Sequence, residues 1–361
     1  MCGSVKTMDA LVLTAPNKFD IQQVPVPVPG DDEVLCKVDT TFICGTDIHI
    51  VHGAFPDFWP KSFPFIPGHE WSGTITEVGK KSASLGWNEG DRVCAISHAG
   101  CGYCRNCMTG RFNICLNYGN EAKGHRQYGH YTSGAYAQYM RTSIKSIYKI
   151  PDAMELEYSA CVDPLSIALY TVKRTRIQPG EDILILGSGP QGLMSVLCAQ
   201  AMGAGRIILA GSGERLEKAV QLGAIGLNYR ECDVVNEVMN LTKGLGVPRV
   251  CECAGTSKSL NQACLAASRG GVVSVVGIPP KDPTLPVKRI VLDEVELIGN
   301  RANPNTAEEA ISLLANRRID LKPLMTHRYE LKDFTVALDA YEKRKNGAMK
   351  VAIKPNEFVN Y

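Results

Sequence analysis

The sequence has no run of apolar residues long enough to form a membrane-spanning helix, which needs about 20 of them. It also has no large excess of one charge: the sequence contains 39 Lys and Arg and 37 Asp and Glu, so the formal net charge is +2. This balance offers no basic surface for nucleic acid. The first residues, "MCGSVKTMDALVLTAP", contain no sustained apolar segment, so we expect no signal peptide. These absences predict a soluble, cytoplasmic protein that binds neither membranes nor nucleic acid.

Cysteine, by contrast, is abundant, with fourteen residues in a chain of 361. In a chain without a secretion signal, this number favours reduced thiols and metal binding over a disulfide scaffold. The length predicts two domains, and the apolar fraction of 45% is sufficient to give each of them a core.

Two regions of different character follow one another along the chain. Residues 1–162 contain short β-branched runs separated by turn signals such as "PVPVPG" and "NEGD", which predict a β-rich domain. Residues 163–302 alternate apolar strands with helices, and this pattern predicts a doubly wound α/β domain with a parallel sheet. Asp163 is a possible N-cap of the first of these helices. From about residue 303, "TAEEAISLLANRR" and "DFTVALDAYEKRK" predict two amphipathic helices.

The segment "ILILGSGPQG" places Gly187, Gly189 and Gly192 in the spacing G-x-G-x-x-G. It follows a predicted strand and opens a predicted helix, which is the context of a dinucleotide-binding turn. Glycines there allow a tight turn and a close approach of the backbone to a pyrophosphate. A tight turn without a ligand is the alternative interpretation.

The next strand should end in an acidic residue if the cofactor has a free ribose 2′-hydroxyl. Gly211 occupies that position, and Ser212, Glu214 and Arg215 follow it. Arg215 favours a 2′-phosphate and hence NADP, Glu214 could reach back to the hydroxyls of NAD, and both could be surface charges. The choice between NAD⁺ and NADP⁺ therefore stays open, with NAD⁺ as our first expectation.

The loop "CGYCRNCMTGRFNIC" holds Cys101, Cys104, Cys107 and Cys115 in the spacing C-x₂-C-x₂-C-x₇-C. A thioredoxin-like redox site needs one C-x-x-C beside a βαβ unit, and a ferredoxin cluster needs a shorter final gap. Four thiolates around one tetrahedral Zn²⁺ account for the spacing and leave no open coordination position. The sequence therefore predicts a structural zinc in a lobe over residues 98–118.

A second set of possible metal ligands is spread along the chain. Cys44 lies in "CGTDIHI", and His69 and Glu70 lie in "PGHEWSG". A catalytic zinc needs three protein ligands and an open fourth position, of which Cys44 and His69 supply two. A buried thiol and a core histidine are the alternatives, but the neighbouring acid favours a metal.

With these motifs the chain resembles the zinc-dependent medium-chain dehydrogenase/reductase superfamily of alcohol, sorbitol and threonine dehydrogenases. The resemblance extends over nearly the whole chain and includes "CGTDIH", "GHEWSGTITEVG", "GDRV", the four-cysteine lobe, the glycine loop, "VVGIPP" and "GAMKVAIKP". It implies an α/β protein in which residues 1–162 and 303–361 form a GroES-like catalytic domain. Residues 163–302 are then a Rossmann nucleotide-binding domain.

The resemblance implies that Cys44 and His69 bind the catalytic zinc, with Glu70 as an adjacent or exchanging ligand. In the polyol and threonine branch the third ligand is a carboxylate, and Asp163 in "CVDPLSI" stands at that place. Cys161 is an outside alternative because it is offset from the family position. A zinc ion held by a Cys44 thiolate, neutral His69 and an Asp163 carboxylate is formally neutral.

Three residues near Cys44 take their roles from the same resemblance. Thr46 receives the hydrogen bond of the substrate hydroxyl, and His49 relays the proton toward solvent. Asp47 holds a metal-bound histidine in one tautomer. The alternatives are a turn hydroxyl, a surface histidine and a loop cap, respectively. Four other histidines are expected to lie outside the chemistry: His52, His98, His125 and His130.

The resemblance also implies two zinc ions per chain, one catalytic and one structural, and NAD⁺ or NADP⁺ as the cofactor. The cofactor is expected at the glycine turn and at strand ends, on Gly187, Gly189, Pro190, Gln191, Gly192, Gly211, Ser212, Arg215 and Val276. A homodimer or homotetramer is expected through edge strands near "VELIGN".

The segment "HGAFPDFWPKSFPFIPGHE" is rich in aromatic residues, namely Phe55, Phe58, Trp59, Phe63 and Phe65. A polyol pocket needs several hydrogen-bonding groups, whereas aromatic residues suit an apolar or cyclic secondary alcohol such as a hydroxylated terpenoid. These residues could equally be ordinary core.

We therefore predict the reversible oxidation of a secondary alcohol to a ketone by hydride transfer to NAD(P)⁺. The alternatives are a polyol or threonine 3-dehydrogenase, a zinc-free reductase of the same superfamily, and a non-catalytic zinc-stabilised binding protein.

Overall fold

The structure is a computed structural model that describes residues 6–356. The chain forms two compact units. The first runs up to Asp163 and resumes at Leu321, and the second comprises Pro164–Asp320. None of the helices between residues 6 and 356 combines the length and the apolar character required to cross a membrane.

The first segment of the first unit is rich in strands, as its β-branched runs predict. Its strands are β1 (Thr7–Ala15), β2 (Lys18–Pro25), β3 (Glu33–Phe42), β4 (Glu70–Val78), β5 (Arg92–Ala95), β6 (His98–Ala99), β7 (Arg126–Gln127), β8 (Tyr139–Ser143) and β9 (Ile147–Lys149). Its helices are α1 (Gly45–Val51), α2 (Lys80–Ser84), α3 (Arg105–Met108) and α4 (Leu156–Ser159). Strands β1 and β2 form an antiparallel hairpin, and β6 pairs with β7.

The second unit alternates helices and strands. They are α5 (Val162–Arg174), β10 (Ile183–Leu186), α6 (Pro190–Ala201), β11 (Ile207–Gly211), α7 (Glu214–Gln221), β12 (Ile225–Asn228), α8 (Val234–Leu241), β13 (Val247–Glu252), α9 (Ser257–Ala266), β14 (Ala267–Val275), α10 (Val287–Leu292), β15 (Glu296–Gly299) and α11 (Ala307–Ala315). All strand pairs in its sheet are parallel, in the order β12-β11-β10-β13-β14-β15. This is the order 3-2-1-4-5-6 of a Rossmann fold, so the predicted doubly wound sheet is confirmed.

The second boundary between the units lies at residues 320/321, later than the 302/303 expected from the sequence. The reason is that the segment around α11 is held by α5. Asn303 Nδ2 donates to Ser166 Oγ at 2.7 Å, and Thr306 Oγ1 donates to the Ser166 carbonyl at 2.9 Å. Lys173 pairs with Glu309 at 2.6 Å. These contacts keep α11 with the nucleotide-binding sheet.

The final segment returns to the first unit with β16 (Met325–Glu330), α12 (Phe334–Glu342) and β17 (Lys350–Lys354). The main sheet of this unit has the order β16-β17-β3-β4-β5-β9, with β8 also paired to β3. Strand β17 is buried along its length and pairs antiparallel to β3, with Ala352 opposite Phe42. Chain-terminal residues therefore lie beside the segment that leads to Cys44.

Helix α5 begins at Val162, one residue before Asp163. Asp163 thus lies inside the first turn, and the N-cap position suggested from the sequence is wrong. Its Oδ1 instead accepts a hydrogen bond at 3.1 Å from the backbone amide of Ser97, which is distant in sequence.

Candidate metal centres and active site

The four cysteines of the 98–118 lobe come together with the geometry of a closed zinc site. Their sulfur atoms all lie within 4.8 Å of one another, and the Cys101–Cys107 and Cys104–Cys115 sulfur pairs are each 3.9 Å apart. Four thiolates at about 2.3 Å from one tetrahedral ion would be about 3.8 Å from each other. A disulfide would need about 2.05 Å. The donor set therefore fits zinc, and no disulfide joins cysteines within residues 6–356.

Hydrogen bonds from the surrounding loop point at these sulfur atoms. The Cys104 amide donates to Cys101 Sγ at 3.4 Å, and Asn117 Nδ2 donates to the same sulfur at 3.3 Å. Burial raises the pKa of the Cys101 thiol, but these donors and the Tyr103 amide outweigh it and bring the pKa to about 6. The loop thus stabilises the thiolate of Cys101, which is the form that binds a metal.

The second cluster is assembled from two separate segments. Ligand atoms of Cys44, His69 and Glu70 all lie within 4.8 Å of one another. Cys44 is the N-cap of α1, and Glu70 is the first residue of β4. The antiparallel register of β3 and β4 places Phe42 opposite Glu70. This pairing brings Cys44, which follows β3, close to His69, which precedes β4. Thiol, imidazole and carboxylate are all zinc ligands, so this set also fits the ion.

Asp47 supports the second cluster from α1. Its Oδ2 accepts hydrogen bonds from the Cys44 amide at 2.9 Å and from Tyr136 Oη at 2.7 Å. Its Oδ1 lies 3.3 Å from His69 Nδ1. Burial would lower the pKa of His69, but the Asp47 carboxylate reverses this effect and raises it. Asp47 Oδ1 lies at ion-pair distance from Nδ1 without the geometry of a hydrogen bond, and its negative charge favours a proton on Nδ1, which leaves Nε2 as the ring nitrogen that could bind a metal.

A buried lysine that the sequence analysis missed faces the same cluster. Lys350 on β17 is 1% exposed, and its Nζ pairs with Glu70 Oε2. The positive charge offsets one of the negative charges that Cys44, Glu70 and Asp47 bring to this region. The signal was present in the sequence, because a lysine inside a buried apolar strand requires an anionic partner.

Asp163, the carboxylate expected as the third zinc ligand, is not among the residues whose ligand atoms lie within 4.8 Å of one another in the second cluster. It is 1% exposed and accepts from the Ser97 amide. Cys161, the outside alternative, is also fully buried and outside the group. In this structure the carboxylate whose oxygen lies within 4.8 Å of the ligand atoms of Cys44 and His69, as a candidate third ligand, is that of Glu70.

Thr46 and His49 both lie on α1, three residues apart, and residues with this spacing share one face of a helix. Thr46 is half-buried and His49 is exposed. The His49 ring contacts the edge of Phe55, with ring centroids 5.7 Å apart.

A row of aromatic rings continues from Phe55 to the second cluster. Phe55 meets Trp59 at 5.0 Å, Trp59 meets His130 at 4.7 Å, and His130 meets His69 at 4.5 Å between ring centroids. We call Phe55, Trp59 and His130 the aromatic wall. His130 was expected to lie outside the chemistry, and the structure places it beside a candidate ligand. No local sequence pattern marks it, because 60 residues separate it from Glu70.

The other aromatic residues of the 55–65 segment divide between core and surface. Phe65 is buried with Trp59, Leu13 and Ile50. Phe58 and Phe63 are 42% and 39% exposed. Three further histidines contact other partners: His52 lies on the surface against Asn17, His98 against Ser97, and His125 against Tyr131. The alternative that these aromatics are core therefore holds for part of the segment.

The glycine turn has the shape that a pyrophosphate requires. Gly187 follows β10 with a φ of +110°, and a Cβ on Gly192 would lie 1.8 Å from the Gly187 carbonyl oxygen. A Cβ on Gly189 would meet nothing within 4 Å, so space remains in front of the turn. Pro190 begins α6, whose N-terminal amides are unpaired within the helix.

The other expected cofactor residues occupy the carboxyl edge of the same sheet. Gln191 Nε2 donates to the Pro164 carbonyl at 3.1 Å, and Val276 directly follows β14. Gly211 ends β11 and Ser212 follows it. Ligands of open α/β sheets bind at this edge, so these residues fit a dinucleotide.

Comparison with known proteins assigns the class. The family of alcohol dehydrogenase GroES-like domains matches residues 30–152, and the zinc-binding dehydrogenase family matches residues 190–316. Sorbitol dehydrogenase of Bacillus subtilis is 34% identical over 97% of this chain and 98% of its own length. The chain therefore belongs to the zinc-dependent medium-chain dehydrogenase/reductase superfamily.

Solved structures agree with this assignment. A putative zinc-binding dehydrogenase of Sinorhizobium meliloti, bound to NADP, has a TM-score of 0.88 and 28% identity over 97% of this chain and all of its own. A short chain alcohol dehydrogenase of Escherichia coli CFT073, complexed with NADH, has a TM-score of 0.87 and 26% identity over 97% and 99%. The predicted GroES-like and Rossmann domains are confirmed. The protein is an oxidoreductase of the zinc-containing, NAD(P)-dependent alcohol dehydrogenase class.

Proposed function

We propose that this enzyme oxidises a secondary alcohol to a ketone, reversibly, with a zinc ion held by Cys44, His69 and Glu70. The observation that carries this proposal is the convergence of a thiol, an imidazole and a carboxylate within 4.8 Å. A second zinc, held by the four-cysteine lobe, has a structural role because four protein ligands leave no open position. The dinucleotide is held at the glycine turn of the second unit.

The chemistry of the proposed site follows from its donors. When bound, zinc lowers the pKa of a coordinated hydroxyl group, and the nicotinamide accepts the hydride. Asp47 would favour the His69 tautomer with its proton on Nδ1, so that Nε2 would be the nitrogen that binds zinc. The buried Lys350 ammonium pairs with the Glu70 carboxylate and offsets its charge.

The proton of the alcohol must leave before hydride transfer. Thr46, two residues after Cys44, accepts this proton in a hydrogen bond through its hydroxyl. His49 lies one turn further along α1 and is exposed, so it can exchange the proton with solvent. This assignment of Thr46 and His49 rests on their common helix face.

For the substrate we propose a secondary alcohol with substantial apolar surface. The aromatic wall beside His69 supports this choice, because aromatic rings desolvate apolar groups and offer few partners to hydroxyls. A polyol is the second candidate, and it is supported by the 34% identity to a sorbitol dehydrogenase. A threonine-type substrate has no such observation in its favour.

Absorbance at 340 nm tests the proposal, with a bicyclic alcohol, sorbitol and threonine supplied to the enzyme with either cofactor. We expect the highest kcat/KM with the bicyclic alcohol. Phe55→Ala should lower this value, whereas Phe63→Ala, which alters an exposed ring of the same segment, should leave it unchanged. Preference for sorbitol would replace the apolar substrate with a polyol. Absence of turnover with all alcohols would contradict the proposed function.

We also propose that the chain forms a homo-oligomer through the second unit. Strand β15 is the edge of the parallel sheet, and neighbouring α10 exposes three apolar side chains, Val287, Val291 and Leu292, at 61–69%. An open strand edge beside an apolar surface favours pairing with a second copy. Light scattering after size exclusion measures the state: a dimer or tetramer is expected, and Val291→Lys should shift it toward monomer.

A further inference from the structure

Glu252 is a buried acidic residue for which the chemistry above has no role. It is the last residue of β13, and its carboxyl oxygen Oε1 accepts three hydrogen bonds. The donors are the amides of Ala254 and Gly255, both at 2.9 Å, and Ser259 Oγ at 2.7 Å. Ser259 lies in the first turn of α9. One oxygen atom therefore fixes residues 253–256, which we call the β13 loop, and joins this loop to α9.

The same residue holds the loop after β14, residues 276–278, which we call the β14 loop. The amides of Val276 and Gly277 donate to the Glu252 carbonyl at 2.9 Å and 3.2 Å. The two loops touch, because a Cβ on Gly277 would lie 2.2 Å from the Gly255 nitrogen and 2.7 Å from Glu252 Oε2. The backbone and the side chain of Glu252 thus join the β13 loop to the β14 loop.

Both loops lie at the carboxyl edge of the parallel sheet, where its strand order reverses. Strand β13 pairs with β10, and the glycine turn follows β10. A Cβ on Gly187 of that turn would lie 3.1 Å from the Cβ and from the nitrogen of Ala254, so the β13 loop packs against the turn. Each half of a Rossmann sheet binds one mononucleotide. Because the glycine turn belongs to the half β10–β12, we expect the nicotinamide mononucleotide at the half β13–β15.

The hydrogen bonds on Oε1 compensate for the burial of the carboxyl group. Burial raises the pKa of Glu252 above its ordinary value, although the Ser259 hydroxyl and the two amides of the β13 loop lower it. Oε2, the other oxygen, is buried and accepts no hydrogen bond from residues 6–356. Removal of the carboxyl group would leave the amides of Ala254 and Gly255 without this acceptor, and the β13 loop would rearrange to satisfy them.

We propose that Glu252 is a positioning residue, which holds the β13 and β14 loops in the arrangement that receives the nicotinamide ring. This inference rests on the proposed function, since it assumes that the second unit binds a nicotinamide dinucleotide. Glu252 acts through the backbone of the two loops and not on the reacting atoms. The alternative is a role confined to the stability of α9, which would affect both halves of the dinucleotide equally.

Titration calorimetry on the full-length protein separates the two halves of the cofactor without turnover. The probes are the reduced dinucleotide that binds more tightly, NADH or NADPH, and the matching fragment without nicotinamide, ADP-ribose or its 2′-phosphate. Glu252→Ala should weaken binding of the dinucleotide by about 10-fold to 100-fold, because three hydrogen bonds that hold the loops are lost. Binding of the fragment should change by less than about twofold.

Three further variants assign the effect to the hydrogen bonds on Oε1. Glu252→Gln keeps an oxygen acceptor and should restore most of the affinity for the dinucleotide. Ser259→Ala removes one of the three donors and should weaken the dinucleotide selectively, by about threefold to tenfold. Glu181→Ala is the matched control, because Glu181 accepts from the Gln178 amide at 2.8 Å but lies before β10, at the opposite edge of the sheet. It should change neither affinity.

Fluorescence of the bound dihydronicotinamide provides a readout that a change in stability alone does not alter. Its enhancement on binding should be smaller in Glu252→Ala than in the unaltered protein and should be retained in Glu181→Ala. In Glu252→Ala, kcat should also fall by about tenfold with the zinc content unchanged, because a misoriented ring accepts hydride less readily.

Three results would overturn the inference. Glu252→Ala could weaken the dinucleotide and the fragment equally, it could weaken neither, or Glu252→Gln could be as impaired as Glu252→Ala. If Glu252→Ala does not fold, as circular dichroism would show, Ser259→Ala decides, and the absence of a selective loss there overturns the inference. In all these cases the unaltered protein still binds the dinucleotide, so the proposed function survives. If the unaltered protein binds neither dinucleotide, the proposed function fails and the role of Glu252 fails with it.

Discussion

The donor sets of the two candidate metal centres both fit zinc, but the chain assembles them in opposite ways. All four cysteines of the lobe lie within fifteen consecutive residues, and their own loop supplies the hydrogen bonds to sulfur. Cys44, His69 and Glu70 depend on the pairing of β3 with β4, and on Lys350 from the far end of the chain. One centre is local, and its four cysteines would close around an ion; the other is tertiary, and its three candidate ligands would leave a coordination position free.

The number of protein ligands at each centre determines the role that its zinc ion can have. A closed site with four thiolates can stabilise a loop but cannot accept a substrate. A site with three ligands from distant segments keeps an open position, and its charge is adjusted by residues such as Asp47 and Lys350. The two centres should therefore respond differently when a ligand is removed.

The largest effect is expected from Cys44→Ser. Loss of the thiolate should remove the zinc ion proposed at Cys44, His69 and Glu70. Such an ion stabilises the charge of the transition state by several kcal/mol, so kcat/KM should fall by at least about 10³-fold. Metal analysis should find one zinc per chain in place of two, and the melting temperature should change little. Cys232→Ser, outside both centres, is the control and should keep both ions. Full activity of Cys44→Ser would refute the catalytic assignment.

Cys107→Ser should lower the stability of the protein strongly and its activity only weakly, which is the reverse of Cys44→Ser. The lobe loses its zinc, and unfolding becomes easier by more than about 3 kcal/mol, because a structural zinc contributes directly to folding. Thermal unfolding and metal analysis measure these losses. Activity per folded molecule should fall less than tenfold, since the other zinc remains. An unchanged melting temperature after loss of the ion would show that the lobe folds without it.

A smaller effect, on zinc affinity, should show which carboxylate binds zinc together with Cys44 and His69. Glu70→Gln should weaken zinc binding by about 10-fold to 100-fold, as measured by competition with a chelator. Because this change leaves Lys350 buried without its partner, Glu70→Gln/Lys350→Met serves to separate zinc affinity from stability. Asp163→Asn should keep zinc affinity. If instead Asp163→Asn releases the ion, the third ligand is the one first expected from the sequence.

The smallest effect tests a link between the two centres. Tyr118 lies three residues after Cys115, its amide donates to the Cys115 carbonyl at 3.0 Å, and its Oη accepts from Trp59 Nε1 at 2.8 Å. Tyr118→Phe removes one hydrogen bond from the aromatic wall and should raise KM for an apolar alcohol about threefold to tenfold, with kcat unchanged.

Tyr103→Phe is the matched control for this link, because Tyr103 is an exposed tyrosine of the same lobe. Both variants should retain two zinc ions. Equal kinetics of the two variants would mean that the lobe does not position the wall.

Local signals were sufficient for much of the fold. The apolar runs of β10 and β11 and the glycine turn between them predicted a parallel nucleotide-binding sheet, because these features depend on residues close in sequence. The boundary near residue 320 was not predictable. Helix α11 is amphipathic whichever unit it joins, and the contacts of this helix and of the segment before it with α5 assign it to the second unit.

The sequence by itself determined the four-cysteine centre, the glycine turn and the family, because each depends on spacing within a short segment or on order along the chain. Tertiary structure alone decided that Glu70 and not Asp163 is the carboxylate grouped with Cys44 and His69, that Lys350 pairs with it, and that His130 lies beside His69. The physical reason is that strand register and the return of the C-terminal strand bring these side chains together. The longest of these contacts, between Glu70 and Lys350, joins residues 280 positions apart, and no local pattern specifies which side chains meet over such separations.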